Sequence, residues 1–279
     1  MSGQLSAVLF GLLSALIWGG GDFCGGLATR RASVIQVLLI AESSGLLMLI
    51  GLALAWGEPW LSPAAIGWSM AAGSAGLLGL SALYRGLAVG RAGLVAPVSA
   101  VLAAALPALF SGVTAGWPDH LHLLGFALAL LAIWLVAQSG GATGASQGLG
   151  LALVAGCGFG SFFILINKAG ADSTFWPLVV ARATTLPPLL TLFFYYRMAW
   201  PTSRPLYSLA TLSGFLDAGG NAFFVLAAQA GRLDVAAMLS SLYPASTVIL
   251  ASLLLGERTT WVQRSGIVVA LAAIALIAA

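Results

Sequence analysis

Charge is what this sequence has least of. Only 7 % of its 279 residues are Asp, Glu, Lys or Arg, while 60 % are hydrophobic; a soluble domain carries about a quarter charged residues. Eight acidic and eleven basic side chains cannot cover a water-facing shell of this length. A soluble globular domain is thereby excluded, and the bilayer is the main solvent. The net charge of +3 is small and scattered, so no nucleic-acid partner is expected. Cysteine is scarce too: Cys24 and Cys157 sit in apolar, glycine-rich stretches, form no disulfide framework or metal signature, and read as small packing residues. The only histidines, His120 and His122, stand beside Asp119 in a short polar stretch that reads as solvated surface. HExxH does not occur, and the one GxSxG, Gly144-Ala145-Ser146-Gln147-Gly148, falls in the uncharged linker with no apolar strand pattern before it, so an intramembrane enzyme is not favoured. No metal or cofactor is expected. A basic flank ahead of the first apolar run is also missing, and that run is too long for a signal peptide, so it reads as the first span.

What is present is a series of apolar runs, each long enough to cross a hydrocarbon core of about 30 Å. They fall near 5–27, 33–56, 64–87, 92–115 and 121–139, then, after the uncharged linker Ser139 to Gln147, near 148–168, 174–196, 206–229, 233–255 and 261–279. Lipid cannot satisfy an open strand edge, so the expected class is all-α, a polytopic membrane protein of about ten transmembrane helices. Sliding the chain by 139 residues pairs Gly11-Leu12 with Gly150-Leu151, Gly19 with Gly158, Gly21 with Gly160 and Phe23 with Phe162. A slide of 141 pairs Gly90-Arg91 with Gly231-Arg232, Ser99 with Ser240 and Gly125 with Gly266. The order of these pairs along both halves points to a duplication: 1–140 as a first five-helix repeat, 141–147 as linker, 148–279 as the second. Five is odd, so the second copy enters the membrane inverted, an arrangement that in transporters places the solute site between the halves near mid-membrane.

The stretch Ser240 to Ala278, with Pro244, Leu255-Gly256-Glu257 and Gly266, resembles the closing part of an EamA repeat of the drug/metabolite transporter superfamily. The opening ALIWGGGDF, Ala15 to Phe23, is similar to the Trp-Gly end of that family's first helix, and Arg182 sits where the family often has an arginine. The first copy departs from the pattern: Gly116 stands opposite Glu257, and Glu42 opposite Arg182. The resemblance implies a secondary transporter, often an exporter, of a small organic solute in a bacterial inner membrane. The superfamily's range of amino acids, cationic drugs, sugar-nucleotides and other metabolites does not select one. It also implies both termini in the cytoplasm. The loops disagree: Arg30, Arg31, Arg85, Arg91, Arg197, Arg204, Arg258 and Arg264 gather on one side, against Lys168 and Arg232 on the other. The positive-inside rule puts the eight in the cytoplasm and the termini outside. Orientation stays open at this point.

Function is sought at ionisable groups of membrane depth, because each costs about 2.5 to 3.5 kcal/mol to insert and so faces a cavity or a partner. Asp22, Glu42, Arg182 and Asp217 are such groups. Asp217, Asn221 and Phe224 recur at i, i+4 and i+7 on one helical face, either a cavity wall or a carboxylate bonded to a neighbouring helix. Glu42 and Arg182 are an ion pair between halves or a ligand site. Trp18, Tyr84 and Tyr243 stack on a cationic or ring-bearing solute, or they pack helices. The candidate substrate-binding set is therefore Trp18, Asp22, Glu42, Tyr84, Arg182, Asp217, Asn221 and Tyr243. More carboxylate than cation favours an amino-containing or cationic solute, and a carboxylate that trades a proton for that cation is compatible with proton coupling. A channel and an intramembrane enzyme are the alternatives. A monomer is expected, because two fused halves already supply the interface between repeats.

Overall fold

The computed structural model describes residues 2–89, 92–137, 148–201, 203–256 and 259–278, with the backbone alone at 2, 84, 86–89, 92–94 and 96–97. The linker 138–147, Arg91, Glu257 and Arg258 lie outside the described residues. Within them the chain is helical with no strand: α1 (Ser2–Thr29), α2 (Val34–Trp56), α3 (Pro63–Val89), α4 (Ala92–Ala115) and α5 (His120–Ala137) in the first half. The second half holds α6 (Leu149–Ala169), α7 (Phe175–Tyr195), α8 (Arg204–Ala230), α9 (Leu233–Ser240), α10 (Tyr243–Leu255) and α11 (Trp261–Ala278). Among the described residues ten stretches are long and apolar enough to cross a membrane, α9 and α10 together making the ninth.

Local chemistry explains where the helices stop. Ser33 and Gln36 form a capping box at the start of α2, and Gly57, at φ 66°, closes its end in the left-handed conformation that favours glycine. Gly256, at φ 67°, does the same for α10. The apolar run 233–255 is interrupted, as a proline within it leads one to expect. Pro244 has no N–H to donate and its ring crowds the carbonyl four residues back, so the helix turns at Ser241 and Leu242 and restarts. The prolines of the fourth and seventh spans do not break theirs: α4 runs through Pro97 and Pro107, and α7 through Pro187 and Pro188.

Packing repeats with the halves exchanged. α1 lies along α8 as α6 lies along α3; α1 meets the α9–α10 pair as α6 meets α4; α2 touches α8 as α7 touches α3. The pairs α2 with α7 and α5 with α11 close on themselves across the same pseudo-twofold axis. Close approach needs glycine at these crossings: a Cβ on Gly158 would sit 2.6 Å from Gly79 Cα. One apolar core joins Trp18, Phe163 and Phe224 to α7 and α9; a second joins α5 and α11 to α4 and α9. Leu47, Leu54, Leu78, Val113, Leu253 and Val268 point outward, as side chains that meet lipid should. Cys24 is buried as expected, whereas Cys157 is exposed on the outer surface rather than packed inside.

Consecutive spans alternate direction, which defines two faces. The upper face holds the end of α1 and the start of α2; the lower face holds the start of α1 and the end of α2.

Candidate functional site

A cavity of about 600 Å³ opens between the halves, walled by α1, α2, α3, α4, α6, α7, α8 and α10. It runs from Trp18 and Tyr243, near the middle of their spans, up to Thr29 and Val34 at the upper face. Its lower end is an aromatic stack. Trp18 lies 5.6 Å from Phe163 and 6.1 Å from Phe224, those two rings are 4.6 Å apart, and Tyr243 meets Trp18 edge-on at 6.2 Å. The Trp18 indole donates to the Asp217 carbonyl at 3.2 Å, which fixes the ring to α8.

Above the stack lies the polar part. Arg182, on α7, is buried and reaches both halves: its Nη1 is 3.3 Å from Glu42 Oε2 on α2, and its Nη2 contacts Asp217 Oδ2 on α8. Thr185, one turn beyond Arg182, donates to Glu42 Oε2 at 3.0 Å. Asn221 donates to the Asp217 carbonyl at 2.7 Å and to its carboxylate at 3.2 Å. Arg182 Nη1 makes no hydrogen bond of good geometry, only the ion pair with Glu42. The Asp217 side chain is 46 % exposed where that of Arg182 is 8 %, so the carboxylate presents itself to the cavity while the guanidinium stays in the wall. Asp22 also lines the cavity and has no hydrogen-bond or ion-pair partner among the described residues. A side branch of about 150 Å³ is lined by Asp22, Glu42 and Asp217 together.

Seven of the eight candidate residues thus line one cavity: Trp18, Asp22, Glu42, Arg182, Asp217, Asn221 and Tyr243. The side chain of Tyr84 lies outside the described residues. Phe224, the third member of the i, i+4, i+7 face, is fully buried beneath Trp18 rather than in the cavity wall. Sequence reasoning missed Thr185, Phe159, Phe162 and Phe163, which also line the cavity. Thr185 was findable, standing one helical turn from Arg182 on the same face; the phenylalanines look like any apolar residue of a span.

Other charges serve structure. Glu58, at the lower face, accepts from Ser173 Oγ at 2.6 Å and from the Thr174 and Phe175 amides at 2.9 Å, capping α7 from the end of α2. Asp234, fully buried, accepts from Arg232, whose Nη2 also donates to the Gly116 carbonyl at 2.7 Å. The carboxylate hydrogen bond holds the Arg232 guanidinium above its ordinary pKa. Asp119 accepts from the His122 amide and meets its ring at 2.9 Å; the amide bond comes first among the causes that hold this carboxyl below its ordinary value. Among the described residues no group of three or more His, Cys, Asp or Glu is arranged to hold a metal.

Among the described residues, ten apolar spans packed around a central cavity define a polytopic membrane protein. Residues 146–279, just under half of the chain, match the EamA-like transporter family. A solved structure described only as a crystal structure of a protein superposes with a TM-score of 0.77 at 18 % identity, covering 97 % of this chain and 96 % of its own. That likeness shows the shared fold, and it spans both halves. Comparison with curated proteins gives no sequence match.

Proposed function

We propose that the protein is a secondary transporter that exports a small organic solute carrying an amino group or fixed positive charge, by alternating access between two inverted halves, 1–140 and 148–279, joined by 141–147. The observation that carries this reading is the charge balance of the cavity: Asp22, Glu42 and Asp217 against Arg182 alone, above an aromatic floor. One guanidinium offsets one of the three carboxylates, and the remaining negative charge needs a counter-cation or a proton. A solute ammonium beside Asp22 and Asp217 supplies it, with the apolar body of the solute against Trp18, Tyr243 and the phenylalanines. Asn221 orients Asp217, and Arg182 acts as a resident cation that holds Glu42 and Asp217 together when no solute is bound. A proton taking the place of the solute on a carboxylate would close the cycle, which makes proton coupling part of the proposal. The aromatic stack across the lower end favours a carrier over an open channel. A monomer in a bacterial inner membrane completes the reading.

A thermal-shift series on purified protein tests it with three probes of one shape: phenethylamine, benzyltrimethylammonium and phenylacetate. The two cations should raise the melting temperature and the acid should not, and Asp217→Asn, whatever its own unliganded melting point, should show no shift with either cation while still melting cooperatively. Stabilisation by the acid alone would overturn the cationic assignment.

A further inference from the structure

The first turn of α7 lacks a cap of its own. Thr174, at its start, makes no side-chain cap bond. Its hydroxyl is committed to Gln229 Oε1 at 3.1 Å, and Gln229 Nε2 donates to the Gly170 carbonyl at 2.5 Å. The free amides of that turn are met instead by the Glu58 carboxylate, from the loop after α2, with the Ser173 hydroxyl on the same group. The Trp176 indole donates back to the Glu58 carbonyl at 3.1 Å, and the Trp60 and Trp176 rings stand 4.7 Å apart. This seam lies under the cavity. Leu178, about one turn above Phe175, lines the cavity, and Leu49 and Ala53 of α2 share an apolar core with Phe175 and Leu178. The upper end of the same seam is built differently. There α2 carries its own capping box, and Leu39, Leu189 and Phe193 pack together. Among the described residues the polar tie there is a single exposed bond, Gln36 Nε2 to the Ala199 carbonyl at 2.6 Å. At the spacings that relate the halves, Arg197 and Met198 stand where Glu58 does, and neither has a carboxylate to offer.

We infer that Glu58 is a latch: closed here, it lets go of α7 when the lower end opens, and it holds the resting protein with its cavity open at the upper face. α2 packs along α8 and α7 along α3, so the two helices follow different walls of the cavity. Parting those walls at the lower end pulls the Glu58 carboxylate from the start of α7. Until water enters, that step strips a carboxylate and two backbone amides of their partners, and charge-assisted bonds of this kind are about twice as strong as neutral ones. Parting the upper end leaves no turn uncapped, because Ser33 and Gln36 cap α2 from within. The two open states therefore differ in energy although the halves share one frame. The inference rests on the carrier reading in one respect, that the two ends open in turn. It does not depend on which solute is carried.

Hydrogen exchange of the full chain in lipid nanodiscs, with no solute added, tests it. Glu58→Gln should raise the lower-open population about fivefold. Segments 160–169 and 174–181 should then exchange faster, and segments 25–36 and 77–83 around the upper mouth more slowly. Ser173→Ala keeps both amide bonds to Glu58, so it should move the same segments in the same directions by less, and it stands in if Glu58→Gln does not fold. Faster exchange confined to 174–181 with the mouth unchanged would make Glu58 a structural cap and overturn the latch, as would no change anywhere. A covalent arm uses Glu58→Cys with Ser173→Cys in a chain carrying Cys24→Ala and Cys157→Ala, bridged by a short bis-methanethiosulfonate. The bridged protein should keep its thermal shift with phenethylamine and lose counterflow of that amine, and a reductant should restore the flux. Counterflow through the bridged protein overturns the latch. Its absence from the native chain as well counts against the solute reading, and the exchange pattern then decides the latch alone.

Discussion

α3 and α8 occupy equivalent places in the two halves, one along α6 and the other along α1, yet they present different walls to the same cavity. At the spacing that relates the halves, Asp217 on α8 answers to Gly76 on α3, and Asn221 answers to Leu80. All four residues line the cavity, so one wall is polar and its twin apolar. The charges of α2 and α7 diverge in the same manner, Glu42 against Arg182, and α4 runs unbroken where its counterpart divides into α9 and α10. On the proposed reading of two duplicated halves, the glycine crossings and helix pairings are the shared frame, and the two unlike walls of the site are where the halves have diverged. A symmetric cavity would have no preferred end for a charged group. This one has.

The comparison can be broken at Arg182 first, since that side chain ties the acid of one half to the acid of the other. Arg182→Leu leaves Glu42 and Asp217 facing each other across a gap, and a loss of about 3–5 kcal/mol is expected for removing one partner from a buried ion pair. Thermal melting in detergent measures it, and adding Glu42→Gln and Asp217→Asn to the same chain should recover most of the loss. The polar wall comes next. Asp217→Asn should reduce transport of a cationic solute by about a hundredfold, the equivalent of roughly 2.7 kcal/mol, while Gly76→Ala on the apolar wall should leave it within a few fold. Initial rates in proteoliposomes separate the two.

The shared frame should fail more modestly. Gly158→Val drives a side chain into the backbone of α3 at Gly79, a clash expected to cost about 1–3 kcal/mol in the melting transition. Glu58→Gln keeps the shape of the α7 cap but removes its charge, and about 1 kcal/mol is expected for the weaker bonds to the Thr174 and Phe175 amides. The smallest effect lies at the lower face. Because Asp119 is held below its ordinary pKa of 3.8, its contribution is fully present above that value and is lost as pH falls through the lower folded one. A pH series of melting curves should show a slight decline in that window, absent in Asp119→Asn.

Much of this was legible in the sequence because membrane constraints are coarse and strong. Ten apolar runs leave one class of fold, and costly groups such as Asp22, Glu42, Arg182 and Asp217 must find water or one another. What could not be read was which partner each group finds. Arg182 pairs with Asp217 as well as with its counterpart Glu42, a contact between α7 and α8 that no spacing announces. Glu58 looked like an ordinary loop charge and caps a helix far along the chain. Phe163 and Phe224 were invisible among other apolar residues, although they build the floor under Trp18. An interruption was legible at Pro244, but the same signal at Pro107, Pro187 and Pro188 misleads, because those prolines sit in helices that continue.

Counterflow in proteoliposomes tests the central claim, a carrier whose mid-membrane carboxylates hold a cationic solute. Vesicles preloaded with unlabelled phenethylamine are diluted into a trace of the labelled amine. The account predicts transient, saturable accumulation of label, lost in Asp217→Asn and undiminished by phenylacetate outside. Uptake that rises linearly with concentration, or counterflow that survives Asp217→Asn unchanged, would contradict it.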